Sequence, residues 1–187
     1  MEDAERQGLL LLADISGYTR FVGTTGAAHS YRIVARLLEL LLRRLEPPLR
    51  LSNIEGDALL LYADGPAAEV DRGLRSLLLA TFQEFERETR YIAETADCPA
   101  CAGVTELSLK YVVHAGTYVK QLVAGHTVLF GPDVILAHRL LKNDIPSRHY
   151  VFATASAIPY LALDDGTAYE QITDLGPVRG SYLAFRS

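Results

Sequence analysis

The decisive stretch is Gly8-Leu9-Leu10-Leu11-Leu12-Ala13-Asp14-Ile15-Ser16-Gly17-Tyr18-Thr19-Arg20-Phe21. Leu9 to Leu12 is an unbroken apolar run, the pattern of a strand buried on both faces. It predicts a first strand over Gly8 to Asp14. Asp14 closes that strand, and a small polar turn follows. A second segment, Ile54-Glu55-Gly56-Asp57-Ala58, places another carboxylate at the head of the apolar run Leu59-Leu60-Leu61-Tyr62. If the two strands are neighbours, Asp14 and Asp57 converge. Two converging carboxylates bind a hard divalent cation such as magnesium, and through it a phosphate.

The 187 residues fit one domain, residues 1–187. With 49% hydrophobic and 22% charged residues, the chain can build an ordinary globular core. The formal net charge of -5 and the lack of a basic run give no electrostatic drive toward nucleic acid or acidic membranes. Met1-Glu2-Asp3-Ala4-Glu5-Arg6 lacks the positive start of a signal peptide, and no apolar run is long enough for a membrane span. A soluble cytoplasmic protein is expected.

Periodicity orders the remaining elements. Ile33, Val34, Leu37, Leu38, Leu41, Leu42 and Leu45 recur at helical spacing, and Pro47-Pro48 stops that helix. Leu49 to Asn53 and Ala58 to Tyr62 read as strands joined by Glu55-Gly56-Asp57. Asp64-Gly65-Pro66 is a turn, and Ala67 to Ala93 predicts a long amphipathic helix. A cysteine-containing loop follows. Leu107 to His114, Tyr118 to Val123 and Val128 to Phe130 are strand-like, the last two forming a hairpin at Gly125-His126. Val134 to Leu141 is a short helix, Tyr150 to Thr154 a strand, and Ser156 to Leu163 a short helix or turn. Tyr169 to Thr173 and Tyr182 to Phe185 close the chain as strands. The expected architecture is α+β, a mostly antiparallel sheet with helices on one face, opening in the ferredoxin-like order βαββαβ.

Ala13-Asp14-Ile15-Ser16-Gly17-Tyr18-Thr19 resembles the first metal motif of class III nucleotidyl cyclase catalytic domains, and Ile54-Glu55-Gly56-Asp57-Ala58 resembles the second. Val112-Val113-His114-Ala115-Gly116 and Phe130-Gly131-Pro132-Asp133-Val134-Ile135-Leu136-Ala137-His138-Arg139-Leu140 are similar to later motifs of the same family. The stretch between Gly116 and Gly131 is shorter than in a cyclase. The whole pattern, with its Cys-Pro-Ala-Cys insert, also resembles a bacterial family of cyclase-like domains of unknown function.

The resemblance implies a homodimer with sites at the interface, metals on Asp14 and Asp57, and a phosphate cradle at Ser16, Gly17, Tyr18 and Thr19. It also places the family's transition-state arginine at Arg139. The family's base-reading lysine falls at Asn53, its acidic partner at Val128 and its ribose-steadying asparagine at Ile135. Valine and isoleucine side chains can neither donate nor accept a hydrogen bond. Losing one preorganised contact to a transition state costs roughly 10²–10³ in rate. The chain is therefore expected to be a degenerate cyclase-like domain, binding a nucleotide or other small phosphate ligand with magnesium or manganese and without cyclase activity. The alternatives are an active phosphoryl- or nucleotidyl-transfer enzyme of altered substrate choice, or a ligand-free structural or regulatory homodimer.

Plainer readings stand beside these. Asp14 is also what a strand-end acid capping the Ser16-Gly17 turn looks like, and Asp57 is a common hairpin residue beside glycine. Arg139 is also a surface arginine able to pair with Asp133 or Asp144. Cys98 and Cys101, the only two cysteines, form one Cys-Pro-Ala-Cys motif. It is half of a tetrahedral zinc site, a redox pair, or a pair of thiols in a loop.

Overall fold

The apolar run is continuous because its strand lies in the middle of the sheet. β1 (Arg6–Ser16) pairs antiparallel with β3 (Ala58–Asp64) on one side and β4 (Ser108–Val123) on the other. The computed structural model describes residues 4–65, 73–96 and 99–186. Pro66, the predicted helix start at Ala67, and Cys98 lie outside them. β2 (Arg50–Glu55) adds beyond β3, and β6 (Tyr150–Thr154), β8 (Gly176–Ala184) and β7 (Thr167–Thr173) continue beyond β4. The order is β2-β3-β1-β4-β6-β8-β7, and β5 (His126–Phe130) pairs with the far end of β4. Among the described residues, only β4 and β6 pair in parallel.

Strand alternation sends Leu9, Leu11, Ala13 and Ile15 to one face and Leu10 and Leu12 to the other. The first set packs with Leu37, Leu41 and Leu45 of α2 (Ala27–Leu45) and with Leu78, Phe82 and Phe85 of α3 (Leu74–Thr95). This β1–α–β2–β3–α–β4 core is the ferredoxin-like arrangement expected. The expectation of helices on one face holds for these two long helices. The short α4 (Pro132–Leu140) sets Val134, Ala137 and Leu140 on the opposite face, where Leu10, Leu12, Leu60 and Val112 are also apolar and need cover. A four-residue α5 (Ile158–Leu161) completes the set. No helix among the described residues is long and apolar enough to cross a membrane.

Two elements depart from expectation. A short helix, α1 (Tyr18–Thr25), occupies what reads as a turn. Its threonines and glycine are weak helix formers, but Phe21, only 4% exposed, docks into the main core and overrides propensity. β4 is one strand of 16 residues, where two are expected. Ala115-Gly116-Thr117 looks like a break, yet Gly116 stays in register opposite Gly8. A Cβ at Gly116 would fall 2.4 Å from Asp133 Oδ2, so this glycine marks a close approach within a continuing strand.

Gly8 is equally constrained. A Cβ there would lie 2.3 Å from the Ala63 carbonyl oxygen and 2.4 Å from the Tyr118 hydroxyl. That buried hydroxyl sits 3.1 Å from Ala63 O and 3.0 Å from Asp64 Oδ1. Gly8→Ala is expected to destabilise the fold by about 1–3 kcal/mol in urea unfolding through overpacking. An unchanged midpoint would contradict this packing.

Candidate functional site

The site begins where β1 runs out of apolar residues. Asp14 is in register with Ala58 on β3 and Lys110 on β4, so its carboxylate shares the α4 face with Leu12 and Val112. Three groups surround it. Ser16 Oγ donates to Asp14 Oδ2 at 3.0 Å, and Lys110 Nζ stands 3.3 Å from the same oxygen. Lys110 also donates to the Leu141 carbonyl at 3.1 Å. Asp14 and Lys110 are mostly shielded, with side chains 16% and 19% exposed respectively, so their ion pair is poorly screened by salt.

Asp57 occupies the turn between β2 and β3. Its carbonyl accepts the Ile15 N–H at 3.0 Å, which fastens the turn to β1 one residue beyond Asp14. Burial pushes the Asp57 carboxyl above the ordinary carboxylate range, and the negative charge of Asp14 pushes it further. Its own backbone N–H and the Lys110 ammonium pull the other way. Asp57 thus feels the charge of Asp14 and that of Lys110, and Lys110 is the cation that stands beside Asp14. Tyr150 joins this field. Burial raises its hydroxyl to about 12, opposed by its hydrogen bond to Asn143 and reinforced by Asp14.

The Ser16-Gly17-Tyr18-Thr19 turn lies beside this group. Gly17, at φ 94°, sits at the α1 N-terminus, and no side chain caps that helix end. A cavity of about 450 Å³ opens next to it, lined in part by Gly17, Arg20, Glu106, Ser108 and Arg148. Tyr18 instead lines a separate apolar groove of about 410 Å³ with Tyr31, Leu38 and Ile54.

Other expected site residues are placed elsewhere. Asn53 is exposed and spends its amide locally: Nδ2 donates to Glu55 Oε1 at 3.1 Å, and Oδ1 accepts the Ile54 N–H at 2.9 Å. Arg139 is exposed and pairs with Asp174 at 3.4 Å, at the β7–β8 turn. Neither Asp133 nor Asp144 holds it. Asp133 accepts the Thr117 N–H and faces His114, and Asp144 bonds Tyr169. Within one chain, Arg139 is not joined to the acid pair. Ile135 and Arg139 are both exposed one helical turn apart, so they share the outward face of α4. Cys98 lies outside the described residues, and Cys101 is buried in the main core.

Lys110 and Tyr150 are not among the residues expected at the site. The one signal for them is Lys110 itself, a lone cation inside the apolar run Leu109-Lys110-Tyr111-Val112-Val113.

The chain belongs to the family described as "Protein of unknown function (DUF2652)", whose model matches residues 34–150. It is similar to "Uncharacterized protein Rv2561/Rv2562" of Mycobacterium tuberculosis, with 35% identity over 106 residues. That match covers 57% of this chain and 50% of the relative, so the chain spans about half the length of the curated relative it matches. Among solved structures, the adenylyl cyclase CyaB from P. aeruginosa superposes with a TM-score of 0.70 at 12% identity, covering 100% of this chain and 98% of that one. The catalytic core of a rhodopsin-guanylyl cyclase with converted specificity, in complex with ATPαS, gives 0.68 at 16%, covering 100% of both. The guanylyl cyclase Cya2 gives 0.66 at 16%, covering 100% and 96%. The fold is that of nucleotidyl cyclase catalytic domains.

The raised Asp57 carboxyl carries a stability consequence. A folded-state value above 3.8 means the native state holds this proton more tightly than the unfolded chain does. The associated stability is fully present below pH 3.8 and is lost as pH rises through the folded value. Asp57→Asn should therefore melt higher than the parent at pH 7 without added metal, with the difference closing below pH 3.8. Equal or lower melting at pH 7 would contradict the arrangement.

Proposed function

We propose that this domain binds a nucleotide or other small phosphate ligand, together with magnesium or manganese, and does not cyclise it. The observation that carries this reading is the electrostatic convergence of Asp14 and Asp57 beside an uncapped helix N-terminus. Magnesium is commonly held by one or two carboxylates plus substrate phosphates, keeping several waters. The two acids fit that pattern, since their mutual repulsion is relieved by a cation. Asp14 and Asp57 would hold the metal, which would neutralise phosphate charge. The N–H groups opening α1, after Ser16 and Gly17, would receive phosphate oxygens, as helix N-termini do. Lys110 supplies a single positive charge to the same corner and holds Asp14 in position.

Cyclisation asks for more. Asn53 stands where the resemblance puts the base-reading lysine, and its amide is turned inward on its own hairpin. Ile135 stands where a ribose-steadying asparagine belongs and is 51% exposed with no polar group to offer. The ligand can thus be held at its phosphates while base and ribose lack their usual readers.

Exposed apolar side chains support a homodimer. Leu122 and Val123 at the tip of β4, Phe130 on β5 and Ile135 on α4 are all about half exposed or more. Pairing through this surface would bury them and present Arg139 to the partner's phosphate site. A second reading, a structural or regulatory homodimer without ligand, rests on this apolar surface alone.

Two measurements separate these readings. With magnesium and ATP or GTP at 100 times the dissociation constant, binding stabilises by about 2.7 kcal/mol. For a domain of this size that is a melting shift of about 5–10 °C. Asp14→Asn should abolish the shift, and no cyclic nucleotide should form. No shift with either nucleotide, with magnesium or manganese, would overturn nucleotide binding. In sedimentation at micromolar concentration the parent should be a dimer and Phe130→Glu largely a monomer. A monomeric parent would contradict both readings.

A further inference from the structure

The cavity of about 450 Å³ beside Gly17 holds charges that the acid corner does not use. Arg20 and Phe21 of α1 form one part of its wall. Glu106, at the end of the 3₁₀ segment Pro99–Glu106, and Arg148, just ahead of β6, form another. Arg20 is exposed and has no ion-pair partner among the described residues. Arg148 is held in place from one side: Nη2 donates to the Glu106 carbonyl, and Nη1 stands 3.7 Å from the Glu106 carboxylate. Two guanidiniums thus share one wall with a single carboxylate, which leaves the cavity net positive.

Ser108 adds a buried polar group. It is only 6% exposed and lines the same cavity, yet its hydroxyl makes no hydrogen bond within the chain among the described residues. A buried hydroxyl left without a partner is costly, and a bound acceptor removes that cost. Strand register places Ser108 opposite Ser16, and Lys110, two residues along, shares its face. The cavity therefore lies next to the acid corner but has its own cations and its own hydroxyl.

We propose that this cavity binds a small organic oxyanion, a carboxylate or a phosphate monoester, with its charged group between Arg20 and Arg148 and its carbon body against Phe21. Guanidinium groups match the oxygens of both anions through paired N–H donors. The space is too large for a bare ion and falls in the range of about 300–1,000 Å³ usual for small-molecule pockets. Gly103 adds no side chain to the wall, and a Cβ there would stand 3.8 Å from Phe21 Cδ2. The ring edge is thus open to a ligand. Arginine supplies the charge, so the site needs no metal, and the inference does not rest on nucleotide binding at Asp14 and Asp57.

The test is calorimetric titration of the full chain with benzoate and with phenyl phosphate, in the presence of EDTA. At least one should bind with a dissociation constant of about 1 mM or tighter, which is within reach of ligands this small. The amide resonances of Gly103 and Ser108 should shift on binding. Benzyl alcohol, a similar body without charge, should bind at least about tenfold more weakly. Arg20→Gln, an exposed substitution, and Arg148→Gln should each weaken the anion by about tenfold. Whichever probe binds more tightly identifies the carboxylate or the phosphate as the preferred group. Binding of neither probe would overturn the proposal. So would equal binding of benzyl alcohol, or affinity unchanged in Arg20→Gln. A requirement for magnesium would assign the anion to the acid corner and overturn it as well.

Discussion

A carboxylate at the end of a buried central strand needs a positive charge, and much of this molecule's functional end follows from how Asp14 gets one. Lys110 answers it directly across the β1–β4 register. Largely shielded ion pairs add little net stability, but removing one partner leaves a charge uncompensated at a cost of about 3–5 kcal/mol. The pair is thus held in place more by the penalty for breaking it than by the reward for making it. Asp57 then arrives as a second acid, with no ion-pair partner of its own among the described residues. Burial raises its carboxyl first, and the charge of Asp14 raises it further. One ammonium stands between two acids, and under the proposed function a divalent ion carrying a phosphate would complete the balance.

The sheet order makes this corner available. Because β1 lies between β3 and β4, the turn leading into β3 and the start of β4 both end beside Asp14. The Asp57 carbonyl bonded to Ile15 N–H fixes the turn, and α1 starts at Tyr18, just beyond the same end of β1. Three elements therefore meet at one point through backbone pairing, independently of what the pocket binds.

Much of this corner is legible in the amino-acid sequence itself. The run Leu9 to Leu12 identifies a central strand, and β6 occupies the expected Tyr150–Thr154. Asp14 and Asp57 are legible because each borders an apolar run. Lys110 is not, because a single lysine in a strand reads as solvated unless its facing residue is known, and Asp14 lies far away in sequence. The continuity of β4 is hidden by Gly116, whose reason is the Asp133 side chain pressed against it from α4. Arg139 is legible as a candidate but not its partner Asp174, which a β-hairpin turn supplies. What the sequence hides is in each case a contact between distant segments.

The most direct measurement is a crystal structure of the full chain soaked in manganese and a non-hydrolysable nucleoside triphosphate, with anomalous scattering recorded. An anomalous peak in contact with the Asp14 and Asp57 carboxylates, and phosphate density over the Gly17 turn, is the predicted result. The contradicting result is a well-ordered corner with no anomalous peak, Lys110 alone on Asp14, and no phosphate at the α1 N-terminus.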